Sequence, residues 1–362
     1  MRNPSSGLPL SVTVCNGLTS LKLTNAAITG ANAVEAGPFT PPDGRAGGIR
    51  LANLPAFCRV AATLRPSADS DIKIEVWLPR SAWNGKFMGV GNGGFRGNIE
   101  YGPMGPALSA GYAVASTDTG HTGGGGSWAL GHPEKQIDFG YRAVHDMTVT
   151  AKAIVTASYG SAPRYSYWNG CSSGGRQGLK EAQRFPDDYD GIIAGAPTNY
   201  WTRMHAQKIV AALALRKDAP SAVPVDKLRM AAAAAITKCD ARDDVIDGVL
   251  DDPRGYDFDP SELQCTGAET ANCLTIAQVA ALRQAYSHVR HPRTGEEVAP
   301  PASQSVPSCR RVNRGPSSPR NTSSTSCSAI RNGILEVSTS TPILRALIRQ
   351  TELGYSTPMI LI

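Results

Sequence analysis

Gly170-Cys171-Ser172-Ser173-Gly174 constrains this chain more than any other stretch. Ahead of it, Arg164-Tyr165-Ser166-Tyr167-Trp168 reads as a strand. Behind it, Gly175-Arg176-Gln177-Gly178-Leu179-Lys180-Glu181-Ala182 opens a helix. A serine at the apex of a sharp strand-to-helix turn is pushed out of the backbone, and flanking glycines permit the turn. In that setting the Ser172 hydroxyl is a candidate nucleophile. The N–H of Ser173 is aimed at the negative charge that develops on an attacked carbonyl oxygen. A glycine-rich turn in any α/β protein is the competing account.

The segment before this turn supports the α/β reading. Residues 72–78 begin by alternating, as a half-buried strand does, and Pro79 ends them. Residues 87–91 and 112–116 are short apolar runs that stop at Gly or a polar residue, and 138–159 has a helical pattern. Residues 1–198 are thus expected to form the α/β core. Residues 199–304 change character: alanine-rich helices at 206–215 and 228–236 surround a Cys- and Asp-rich loop, as an inserted lid domain would. The fold expected is an α/β-hydrolase core, incomplete because its last strands are missing, with that lid inserted. Gly91-Asn92-Gly93-Gly94-Phe95 follows a core strand, where such a fold draws its second oxyanion-binding amide, so Gly93 and Gly94 join Ser173 as candidates. Asp118-Thr119-Gly120-His121 ends another strand; its histidine either lines the pocket or serves as a local hydrogen-bonding partner.

The Asp-rich loop is the second chemical signal. Asp240, Asp243 and Asp247, the last followed by Gly248, offer carboxylates on a tightly turning backbone, and the carbonyls of Val245 and Val249 can complete an oxygen shell for Ca²⁺. A solvated acidic turn competes with that reading. Among the cysteines, Cys15 with Cys58 and Cys265 with Cys273 are expected to pair. Such pairs imply an oxidising compartment, secreted or periplasmic, against the alternative of free cytosolic thiols. No apolar run reaches membrane-spanning length, and residues 1–6 carry no leader-like apolar stretch.

The net charge of +6 does not argue for nucleic acid, because residues 305–362 contain seven Arg against two Glu and leave about +1 for the rest. That tail is rich in Ser and Thr, lacks Asp, Phe, Trp and His, and has no lasting periodicity, so it is expected to be disordered. Its permitted codons, read two bases later, can spell I-F-N-A-D-D-P-D across 354–362 and R-S-F-D-F-D-A-D across 335–343. A frameshift near 300–305 is therefore expected. No Asp follows Asp259, and the histidines after Ser172 are His205, His288 and His291, all in the expected lid. The order Ser, Asp, His that this fold requires is not met.

Taken together, Gly89-Val90-Gly91-Asn92-Gly93-Gly94-Phe95, Ser116-Thr117-Asp118-Thr119-Gly120-His121, Trp168-Asn169-Gly170-Cys171-Ser172-Ser173-Gly174-Gly175, the segment 190–197 and the loop 239–250 resemble the tannase and feruloyl esterase family. The resemblance implies an α/β-hydrolase core whose large lid binds a structural Ca²⁺ and supplies a slot for a phenolic ring. Ser172 would be the nucleophile, Ser173 with Gly93 or Gly94 the oxyanion site, and Asp240, Asp243, Val245, Asp247 and Val249 the calcium ligands. It also implies that Cys171 pairs with a cysteine beside the catalytic His, and that the catalytic Asp, the His and that cysteine lie beyond the in-frame chain. The cysteine expected opposite Cys239 is replaced by Tyr256. The substrate would be a small aromatic ester, with no nucleic acid, membrane or protein partner, and the chain as it stands would be inactive. A catalytically dead calcium-binding module that binds phenolics or glycans is the alternative; a degraded reading frame and a different serine hydrolase are others.

Overall fold

The computed structural model describes residues 9–42, 51–244, 246–248, 258–300 and 359–361. Of residues 305–362, on which the frameshift and disorder expectations rest, the described ones are Met359–Leu361, which form a strand; Val245 and Val249 also lie outside the described residues. The chain divides into two compact units at Asn199 and Tyr200.

In the first unit seven strands form one mixed sheet: β1 (Ala26–Val34), β2 (Phe57–Leu64), β3 (Ile72–Pro79), β4 (Lys86–Val90), β5 (Ala113–Thr117), β6 (Tyr165–Cys171) and β7 (Gly191–Gly195). Their spatial order is β1-β2-β3-β5-β4-β6-β7, with Met359–Leu361 (β10) antiparallel to β7 at the edge. The steps from β1 through β3 to β5 are antiparallel, while β5, β4, β6 and β7 run parallel. Helices in this unit are α1 (Val12–Gly17), α2 (Tyr101–Ser109), α3 (Pro133–Ile137), α4 (Ala143–Tyr159) and α5 (Ser173–Arg184).

Each sheet face needs its own apolar cover. On one face Ile72, Ile74, Val76, Leu78, Phe87 and Trp168 pack with Val144, Met147 and Ile154 of α4. On the other, Trp77, Met88, Val90 and Val114 pack with Met104 and Leu108 of α2. The half-buried strand expected at 72–78 is therefore corrected: β3 is covered on both faces. Its Glu75 is 4% exposed, because Arg59 pairs with its carboxylate while Trp77 Nε1 (3.0 Å) and Tyr101 Oη (2.8 Å) donate to it. A buried carboxylate with this many donors is compensated, and it reads as polar alternation only in the sequence.

The helix expected at 138–159 begins as a π-helical turn, Asp138–Arg142, before α4 proper. Arg142 Nε donates to the buried Asp138 at 2.6 Å. Both expected disulfides are present, Cys15–Cys58 and Cys265–Cys273.

The second unit contains α6 (Trp201–Ala214), α7 (Val225–Cys239), α8 (Ile276–Ala285) and a short hairpin, β8 (Val289–Arg290) and β9 (Glu297–Ala299). Its core is small: Ala231, Leu274, Val279 and Leu282. α8 starts at a capping box, Thr275 accepting from the Gln278 N–H while Gln278 reaches back to the Thr275 N–H.

Candidate active site

The parallel strands bring their carboxyl ends together where the chain order reverses, β4 lying between β5 and β6 although the chain visits β4 before either. Ligands of open α/β sheets bind at such a reversal. Backbone strain collects at the same rim. Among the described residues, the non-glycine positions with positive φ include Thr119 after β5, Ser172 after β6 and Ala196 after β7. Strained conformations persist where surrounding structure over-determines them, typically at functional sites.

Ser172 sits at φ 62°, ψ −115°, at the N-cap of α5. Serine in that position usually caps the helix, yet its hydroxyl makes no capping bond. The strained turn is held from both sides: Ser172 N–H donates to Gly195 O (2.9 Å), and Ser172 O accepts from Arg176 N–H (3.0 Å) and Thr198 N–H (3.2 Å).

The glycines explain how the turn closes. A methyl group on Gly170 would lie 2.4 Å from the Gly174 carbonyl, and one on Gly91 would lie 2.5 Å from Gly174 Cα. Three glycines from β6, α5 and the loop after β4 thus touch through their backbones. Gly174 N–H donates to Asn92 O at 2.7 Å, and Ser173 Oγ donates to Gly94 O at 2.8 Å, stitching that loop to the elbow.

The loop is locked by a pair the sequence reading missed. Gln177 Oε1 accepts the Asn92 N–H, and Gln177 Nε2 donates to Asn92 Oδ1, both at 3.0 Å. Asn92 Nδ2 donates to the carbonyls of Asn98 and Thr117, each at 2.9 Å. The Asn92 amide is consumed by that clamp, and the amides of Gly93 and Gly94 follow it on the loop. A methyl on either glycine would meet nothing within 4 Å, so both border open space. Ser173, at the first turn of α5, has an N–H ahead of any intrahelical acceptor. The structure therefore brings Ser172, Ser173, Gly93 and Gly94 to one rim.

His121 takes the local role. It is buried and stacks on Trp128 at 4.2 Å, and its Nε2 lies 2.7 Å from Phe95 O. Burial pushes its pKa down. Beside it, Asp118 accepts from the Lys73 N–H (2.9 Å) and the Gly120 N–H (2.8 Å). Burial raises that carboxyl to about 7 against the pull of those amides. His132, His145 and His288 pair with Asp69, Asp188 and Glu297.

In the second unit, Asp240 is buried and its carboxylate accepts the Gly248 N–H at 3.0 and 3.1 Å, closing the loop on itself. Asp244 (φ 66°) and Gly248 (φ 77°) make the turns. Asp247 is exposed, and the Asp243 side chain, Val245 and Val249 lie outside the described residues. Cys239 is a free, buried thiol, and Cys171 is disulfide-bonded.

Comparison with known proteins agrees with this geometry. The family model described as tannase and feruloyl esterase matches residues 58–355, reaching across the stretch read as out of frame. An uncharacterized esterase of Xanthomonas campestris pv. campestris is 43% identical over 286 residues, 78% of this chain and 49% of its own length. Feruloyl esterase B of Aspergillus niger is 34% identical, over 64% of this chain and 44% of its own. The crystal structure of feruloyl esterase B from Aspergillus oryzae superposes with a TM-score of 0.73 at 31% identity, over 81% of this chain and 59% of that one. Tannin acyl hydrolase from Aspergillus niger, at 21% identity and TM-score 0.60 over 82% and 58%, shares the fold. The chain spans about half the length of the curated relatives it matches.

Proposed function

This chain belongs to the tannase and feruloyl esterase family, and we propose from that premise that it carries the nucleophile half of a serine carboxylesterase for aromatic acid esters. One observation carries the assignment: Ser172 is held at φ 62°, ψ −115° on a strand-to-helix turn, with its hydroxyl outside the helix cap. In this reading Ser172 Oγ attacks the ester carbonyl, and the acyl-enzyme is then resolved by water. The amides of Ser173 and of Gly93 or Gly94 receive the oxyanion. Gln177 has a positioning role, since it holds Asn92 and so aims the following amides.

Attack needs a base to take the hydroxyl proton. His132, His145 and His288 pair with carboxylates, and no Asp follows Asp259, so the order Ser, Asp, His is not met. The chain as it stands is accordingly proposed to hydrolyse esters at background rate. Residues 305–362 are proposed to be read out of frame, and the disulfides support a secreted or periplasmic protein.

A structural Ca²⁺ is part of the proposal. Asp240, Asp243 and Asp247 would supply carboxylates, and Val245 and Val249 carbonyls, a donor set suited to a hard cation. The self-closed Asp240–Gly248 turn fits that role. The ion would tie the loop together by charge, and no step of ester cleavage passes through it.

The test is hydrolysis of methyl ferulate and methyl gallate by this chain and by a version whose coding frame is restored after codon 304. The restored protein should turn over, and Ser172→Ala should lower its kcat by more than about 10³-fold. An inactive restored protein, or an active Ser172→Ala variant, would overturn the reading.

A further inference from the structure

Glu181 lies on α5 roughly 14 Å along the helix from Ser172, and ester cleavage has no use for it. Its side chain is fully buried, and neither carboxylate oxygen receives a hydrogen bond from a donor group; the Asp188 carboxylate lies within hydrogen-bonding range of it. A buried carboxylate left so is costly unless a proton or a cation compensates it. Burial, with Asp188 and Asp146 adding negative charge, holds this carboxyl well above the usual carboxylate range.

Nearby cations are spent elsewhere. Arg142 pairs with Glu134 and Asp138, and Lys152 Nζ donates to the main-chain carbonyl of Asp188 at 2.5 Å. What does face Glu181 is His145 of α4 and the Asp188 side chain. One ligand atom from each of the three residues lies within 4.8 Å of the others. His145 Nδ1 is 2.7 Å from Asp188 Oδ2, and the imidazole lies flat on Phe185, centroids 3.8 Å apart and planes 11° from parallel. Stacking of that kind fixes a ring's orientation, as the outer contacts of metal-binding histidines do.

We propose that His145, Glu181 and Asp188 form a site for a divalent transition cation, with Zn²⁺ the best match, separate from the active site and from the Asp240 loop. One imidazole and two carboxylates suit Zn²⁺, whereas Ca²⁺ and Mg²⁺ favour all-oxygen shells. Three protein ligands leave a fourth position for water. The His145 side chain is 30% exposed, which gives the ion a way in from solvent. The ligand atoms must be free of protons to bind the cation, so uptake displaces to solvent any proton that the Glu181 carboxyl carries. No oxidation is involved.

The experiment uses the full chain, freed of metal with a chelator, held in excess Ca²⁺ and titrated with Co²⁺ as the probe. Bound cobalt is counted after equilibrium dialysis. The expected result is one equivalent with a visible d–d band and no thiolate-to-cobalt charge transfer. Affinity should fall by more than about tenfold in Glu181→Gln and in His145→Gln, and stay unchanged in Cys239→Ser. Thermal unfolding gives a second readout: Zn²⁺ should raise the Tm of the parent chain and leave that of Glu181→Gln unmoved. Cobalt bound equally by Glu181→Gln, cobalt lost with Cys239→Ser, or a metal-free Glu181→Gln that is more stable while the parent binds no cobalt would each overturn the site. The last of these would leave a shared proton as the compensating charge.

Discussion

The two units hold their chemistry by opposite means. Around Ser172, backbone touches backbone: Gly91, Gly170 and Gly174 meet with no room for a methyl group, and side chains act mainly as clamps, as Gln177 does on Asn92. In the second unit the buried core is small, and surface ion pairs such as Lys238–Glu262 and Arg283–Asp259 link its elements. Arg283 and the Ser261 amide hold the exposed Asp259 carboxyl far below its usual range, yet solvent and salt screen such pairs. One region is set by shape, the other by charge and covalent closure. A site set by shape tolerates salt and rejects added atoms; a region set by charge does the reverse.

Three measurements break or sharpen that contrast. The largest effect should come from the disulfides, which close loops of different length. Opening Cys15–Cys58, 43 residues apart, by Cys15→Ser with Cys58→Ser should cost about 4 kcal/mol in denaturant unfolding. Opening Cys265–Cys273, 8 residues apart, should cost about 2.5 kcal/mol. Equal losses would mean that loop length does not govern either staple. Next comes Gly170→Ala, whose methyl meets the Gly174 carbonyl; overpacking should cost about 3 kcal/mol, and a change below about 0.5 kcal/mol would show that the backbone contact yields. The smallest effect is a gain. Ser172→Gly should be more stable than Ser172→Ala by about 1 kcal/mol, because glycine relieves the strained φ. Equal stabilities would remove strain from the account of the elbow.

Much of the first unit was legible from residue order. The elbow, strands β3 to β6 and both disulfide pairs are local signals: turn glycines, short apolar runs, cysteine positions. β1 and β2 gave little warning. β1 reads Ala-Ala-Ile-Thr-Gly-Ala-Asn-Ala-Val, with too little hydrophobic contrast for a period to show. The burial of Glu75 was hidden because its partners Arg59 and Tyr101 lie 16 and 26 residues away. The Asn92–Gln177 clamp spans 85 residues, although both members sit inside glycine motifs that could have prompted the pairing. His145, Glu181 and Asp188 left no trace, since each looks like an ordinary polar residue on a helix or loop. Long-range pairing decided all of these, and no window of the chain contains it.

The three-glycine contact also limits how such a protein can change over generations. A side chain at Gly91 or Gly170 would meet backbone at 2.5 or 2.4 Å, and one at Gly174 would be tight at 3.0 Å, so substitutions at the elbow should cost stability before they can alter substrate choice. New specificity must then be recruited from positions that border open space or lie in other loops, which change without disturbing the nucleophile. Gly93, one residue beyond the locked Asn92, has such space, whereas Gly94 at φ 59° still favours glycine.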